Sequence, residues 1–241
     1  MAHSQTMPVI DLGAERRARL AAARLYLVCP PTHEMSTGGL DLPELLRGAV
    51  AGGVDIVQLR DKHLGDDELV AVANAARALC ERLGVLLIVN DRPLVAREAG
   101  ADGVHVGQED MTVADARRLL GPGAIIGLSI KTVAQASAAP LDLIDYAGIG
   151  GVYGTTSKSN TSKPIGPEGL KRIIEEFHRR KPAFLTCGIA GINESNATEV
   201  IAAGVDGISV ISALSLAPDP QGAARRLREI VDTALAKRGR A

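Results

Sequence analysis

The chain has 241 residues, enough for one large domain or two small ones, and 46% of them are hydrophobic against 23% charged. That is the balance of a globular protein with a sizeable core. A net charge of −1 excludes a broad basic face for nucleic acid, and 2% aromatics with no Trp leave little for base stacking or a membrane-interface belt.

The first 23 residues are read as a tail followed by an added helix over "AERRARLAAAR", and residues 24–241 as one domain. The tail lacks the apolar stretch of a secretory signal, and no apolar run approaches the ~20 residues that span a bilayer, so a membrane is not an expected partner. Cys29, Cys80 and Cys187 are odd in number and lack metal-ligand spacing. They predict reduced thiols and a cytoplasmic protein.

Short apolar runs then alternate with longer amphipathic ones. Strands are predicted at 25–29 ("LYLVC"), 55–59 ("DIVQL"), 85–90 ("VLLIVN") and 103–107 ("GVHVG"). Four more follow at 124–130 ("AIIGLSI"), 145–151 ("DYAGIGG"), 183–188 ("AFLTCG") and 207–212 ("GISVIS"). Between them, segments such as "DDELVAVANAARALCERLG" carry apolar residues at i, i+3, i+4 spacing, and Gly closes several of the helices. Eight strand–helix units in about 220 residues predict an α/β (β/α)8 TIM barrel, with the added N-terminal helix across its bottom. An open doubly wound sheet would carry a Gly-rich turn after its first strand, where this chain has "CPPTHEM".

In such a barrel the chemistry sits at the C-terminal ends of the strands. After the second strand, alternation puts Gln58, Arg60 and Lys62 on one face, an anion-binding set. Asn90, Asp91 and Asp110 follow the third and fourth strands. Asp91 suits an Asx turn and Asp110 a helix cap, but together, beside a basic face, the two carboxylates suit a hard divalent cation. Ser129 ends the fifth strand without a nucleophile elbow, so it reads as a hydrogen-bonding group. After the sixth, Thr155, Thr156, Ser157 and Lys158 offer hydroxyls, amides and an ammonium to an anion. Gly188, Gly191 and Ser209 end the last two strands, where phosphate sites of these barrels often lie. His105 and Cys187 read as buried strand residues, and His33 has no assigned role. Two anion sites predict two phosphorylated substrates.

The motifs "QLRDK", "VNDR", "DGVHVGQEDM", "GLSIKT", the "TTSK" turn and "CGI…GVDGISVISAL", in this order over residues 24–214, resemble the thiamine phosphate synthase family. The resemblance implies a transferase that joins hydroxymethylpyrimidine diphosphate to a thiazole phosphate by a dissociative displacement. It implies that Gln58, Leu59, Arg60, Asp61, Lys62, Asn90, Ser129 and Lys158 hold the pyrimidine diphosphate, with Arg60, Lys62, Ser129 and Lys158 acting in catalysis. Asp91 and Asp110 would bind Mg2+. Thr155, Thr156, Ser157, Gly188, Ile208 and Ser209 would hold the thiazole phosphate. The chain departs from the family pattern at Gly154 after Tyr153, at Ser157, and at Cys187 where a second Gly is common. A thiazole tautomerase-like isomerase would lack the Gln-Arg-Lys face and paired Asp, and a non-catalytic thiazole-phosphate binder would lack the Mg2+ ligands; both are present here. A Schiff-base aldolase would need a desolvated lysine. Association into a homo-oligomer is left open.

Overall fold

The computed structural model describes residues 11–30, 40–155 and 163–239. Eight parallel strands close into a barrel in sequence order: β1 Leu25–Cys29, β2 Ile56–Leu59, β3 Leu86–Asn90, β4 Gly103–Val106, β5 Ile125–Ile130, β6 Tyr146–Ile149, β7 Thr186–Ile189 and β8 Gly207–Val210. Every expected strand is present, with ends moved by a few residues. The largest shift is at β7, which starts at Thr186 because Ala183 adopts a left-handed conformation and the Phe184 N–H bonds back to the Lys181 carbonyl. That turn delays strand pairing.

Helices α1 Leu12–Ala22, α2 Leu42–Ala51, α3 Asp66–Leu83, α4 Pro93–Glu98 and α5 Val113–Leu120 cover the first half of the barrel. The second half is covered by α6 Val133–Ala138, α7 Gly166–Arg180, α8 Ala197–Ala202, the short α9 Ser212–Ser215 and α10 Pro220–Arg238. Their starts follow from local chemistry. Asp41 and Glu44 form a capping box at α2, and α3 is closed by Gly84 at φ 72°.

Strand side chains alternate between two cores. Leu27, Leu59, Leu87, Val104, Ile126, Ala147 and Ile208 face the helices. Tyr26, Ile56, Leu86, Ile88, Ile125, Tyr146 and Cys187 fill the barrel, where Leu20 of α1 joins them. The added helix therefore plugs the barrel with an apolar residue, and Arg16 and Arg17 clamp it to Asp102 and Asp145 at 2.8 Å each.

Four aspartates repeat one device at the barrel bottom. Asp55, Asp102, Asp145 and Asp206 each precede an even-numbered strand and lie opposite Leu25, Leu87, Ile126 and Thr186. Each donates its backbone N–H to the carbonyl opposite, and its carboxylate accepts the N–H of that same residue at 2.8–3.1 Å. Each also meets an arginine: Arg228, Arg16, Arg117 and Arg238 respectively. At the start of these odd-numbered strands, where a backbone N–H would otherwise be unpaired, the carboxylate supplies its acceptor.

Candidate active site

Two clefts open at the C-terminal end of the barrel. The first, about 390 Å³, is lined by Arg60, Lys62, Asn90, Asp91, Asp110 and Ser129. The second, about 500 Å³, reaches into the barrel between Tyr26, Gln58, His105, Tyr146, Cys187 and Ser209. Ile189 and Ala190 line both, so the two spaces share a wall.

The strand period places the cations. Ile56 and Gln58 point inward, and Arg60 continues that face where β2 ends. Burial pulls the Arg60 guanidinium below its ordinary value, while Asp91 and then Asp61 push it back up. It is thus a half-buried cation held between carboxylates. Leu59 faces the helix layer, fully buried, so its side chain is not part of the cleft. Asp61 turns away from it as well: its carboxylate accepts the N–H groups of His63 and Leu64 and builds the loop behind Arg60.

Asp91 sits in the left-handed region at φ 63°, a conformation that Asp tolerates better than most side chains, with its N–H bonded to the His105 carbonyl at 2.8 Å. Asp110 accepts the Gly107 N–H at 2.6 Å. The Asp110 cap is corrected by this geometry: Thr112 caps α5, because its hydroxyl reaches the Asp115 N–H at 3.1 Å while Asp110 is taken up by Gly107. Burial, then the proximity and charge of Asp110, raise the Asp91 carboxyl, against Lys62 and Arg60 which lower it. Two carboxylates that crowd each other in this way suit a divalent cation. Two carboxylates are a donor set that Mg2+ accepts when substrate oxygens and water supply its remaining ligands.

Two residues expected at the thiazole phosphate turn their side-chain positions to the helix layer, which leaves only their backbone to face the cleft. Ile208 is fully buried under the helices, because Ser209, its neighbour on β8, is the one that faces inward. Gly188 pairs with Ile208 and shares its parity: a Cβ there would meet Val200 Cγ1 at 2.6 Å, in the helix layer and not in the cleft. Gly191, at φ 70°, lines the cleft in its place, together with Gly154, Thr155, Ser212 and Ala213. Thr156, Ser157 and Lys158, like His33, lie outside the described residues.

His105 is buried, with both ring nitrogens bonded, as expected of a core histidine, yet it also lines the larger cleft. Tyr26 and Tyr146 line that cleft too and carried no assignment from the sequence; their inward parity on β1 and β6 is the signal that locates them. Burial and then Asp206 push the Cys187 thiol well up, so it is a packed thiol and not a nucleophile.

A family model described as thiamine monophosphate synthase matches residues 25–214. The thiamine-phosphate synthase of Moorella thermoacetica is 48% identical over 200 residues, covering 83% of this chain and 93% of that protein. That of Albidiferax ferrireducens is 42% identical over 214 residues, covering 89% and 94%. Among solved structures, a thiamine phosphate pyrophosphorylase from Pyrococcus furiosus superposes with a TM-score of 0.77 at 34% identity, covering 91% of this chain and 98% of that one. With its closed barrel and its match over nearly all of it, the chain belongs to the thiamine monophosphate synthase family.

Proposed function

We propose that the chain is a thiamine-phosphate synthase that joins hydroxymethylpyrimidine diphosphate to a thiazole phosphate and releases diphosphate. The observation that carries this reading is the pair of clefts with a common wall at Ile189 and Ala190, one lined by charged side chains and one by aromatic, apolar and uncharged polar groups. Such a pair suits a diphosphate leaving group on one side and two ring systems on the other.

Arg60 and Lys62 hold the diphosphate as fixed cations, with Asn90 and Ser129 donating hydrogen bonds beside them, and Lys158 is assigned the same role. Asp91 and Asp110 are suited to hold Mg2+, which when bound supplies positive charge to the departing diphosphate oxygens. The bond from the pyrimidine methylene to diphosphate oxygen breaks, and its electron pair leaves with the diphosphate. The lone pair of the thiazole ring nitrogen then forms the new carbon–nitrogen bond. That nitrogen carries no proton, so no base is needed. What the protein contributes is charge stabilisation and proximity. Ser209, Thr155 and the backbone around Gly191 hold the thiazole phosphate. No helix among the described residues is long and apolar enough to cross a membrane, and three buried free thiols support work in the cytoplasm.

Diphosphate release, measured with each substrate omitted in turn and with Mg2+ chelated, tests the reading. Release is expected only with both substrates and Mg2+ present. Release from the pyrimidine substrate alone at the full rate, or none under any condition, overturns it.

A further inference from the structure

We infer that His105 is a positioning residue that sets the hydrogen-bond direction of Ser129 in the charged cleft, through the chain Tyr146–His105–Ser129. The inference rests on the proposed reaction for the meaning of the Ser129 end.

The geometry spans three adjacent strands. His105 of β4 has 5% of its surface exposed. Its Nδ1 lies 2.9 Å from Tyr146 Oη on β6, and its Nε2 lies 2.9 Å from Ser129 Oγ on β5. Gln58 of β2, on the far side of the barrel, lines the same cleft as Tyr146. Space for the two rings is made by glycines. A Cβ on Gly127 would meet Tyr146 Cζ at 2.3 Å and His105 Nδ1 at 2.4 Å, and one on Gly148 would meet His105 Cε1 at 2.9 Å. Glycine weakens a strand interior, and a close approach such as this one is what it permits in exchange.

Donor counting gives the chain a direction. Burial raises Tyr146 well above the usual phenol range, so its oxygen keeps one proton to donate. Ser129 is assigned to donate to diphosphate oxygens, so its own oxygen has to accept from Nε2 of His105, 2.9 Å away, and a neutral ring then accepts at Nδ1 from Tyr146. The Tyr146 proton therefore goes to Nδ1 of His105. A neutral imidazole that accepts at Nδ1 carries its hydrogen on Nε2, and donates it to Ser129 Oγ. The Ser129 proton is then left for the charged cleft, where diphosphate oxygens accept it. With the chain reversed, Ser129 would turn a lone pair toward an anion.

The test combines spectroscopy and kinetics on the full chain. In protein labelled with 15N-histidine, with His105 assigned by loss of its signals in His105→Gln, the ring should be neutral at neutral pH with its hydrogen on Nε2. Ser129→Ala should move the Nε2 resonance and Tyr146→Phe the Nδ1 resonance. A proton on Nδ1, or on both nitrogens, overturns the inference in a wild type that turns over. In steady state, His105→Leu should lower kcat by about tenfold to a hundredfold, the scale of a misplaced reacting group. Adding Ser129→Ala to it should cost less than about twofold more, because coupled residues are not additive. His105→Gln, which keeps an N–H toward Ser129, should recover most of the loss. Multiplying losses in the double variant, or no recovery with Gln in a folded protein, count against the inference. If His105→Leu does not fold, the wild-type tautomer alone decides. A wrong reaction shows itself separately, as a wild type that releases no diphosphate.

Discussion

Asp91 and Asp110 face one cleft beyond the ends of β3 and β4, and the proximity of Asp110 adds to burial in raising the Asp91 carboxyl. Each is fixed by the backbone: Asp91 through its N–H on the His105 carbonyl, Asp110 through the Gly107 N–H on its carboxylate. Arg60 and Lys62 line the same cleft and favour the charged form of Asp91. The proposed Mg2+ pair gives the first expectation to check.

Asp91→Asn should lower turnover by about 10²–10³-fold, the usual effect of losing one preorganised electrostatic contact to a transition state. Far-UV circular dichroism should stay native. Mg2+ should raise the Tm of the wild type and leave that of the variant nearly unmoved. Near wild-type activity in a chelator would remove the metal assignment.

Arg60→Ala should separate the two clefts. A charge-assisted hydrogen bond is worth roughly 1.5–3 kcal/mol, so the pyrimidine diphosphate should bind about ten- to a hundredfold more weakly. Titration calorimetry should find thiazole phosphate binding unchanged. Equal losses for both ligands would mean one merged site.

Gly188→Ala should cost stability and not substrate affinity. The added methyl would press on Val200 at 2.6 Å under α8, and overpacking of this kind costs about 1–3 kcal/mol. Urea denaturation reads that loss, while the thiazole phosphate KM of the folded variant stays near wild type. Ser209→Ala should behave in the opposite way, since Ser209 faces the cleft. It should weaken thiazole phosphate and leave the dephosphorylated thiazole almost untouched. A raised KM in Gly188→Ala with normal stability would place the phosphate on the other side of β7.

Asp145→Ala should show what the aspartate repeat contributes. The Asp145 side chain is 9% exposed and meets Arg17, Arg117 and the Ile126 N–H at 2.8 Å each. Its loss leaves a largely buried Arg117 and a backbone N–H without their acceptor, a cost of about 3 kcal/mol. The site is at the other end of the barrel, so kcat/KM of the folded variant should not change. Unaltered unfolding in urea would show that these carboxylates are incidental.

Strand period and site chemistry were legible from the residues alone. Eight apolar runs separated by amphipathic ones can close only by right-handed crossovers, which is why all eight strands and the added helix were legible. The face shared by Gln58, Arg60 and Lys62 was legible because alternation is a property of one strand, and the carboxylates of Asp91 and Asp110 because nothing in packing requires them at strand ends. Parity at β7 and β8 could have been read as well: an inward Ser209 obliges its neighbour Ile208 to face out, and the paired Gly188 with it.

Which residues of different strands meet was not legible in this way. Closure of the barrel and the stagger between strands bring His105, Ser129 and Tyr146 within hydrogen-bond reach, and place four aspartates opposite the N–H groups that need them. Stagger comes from how neighbouring strands pair and how the helices pack around them. A single strand carries the order of its side chains along its own axis, and nothing about its offset from the next.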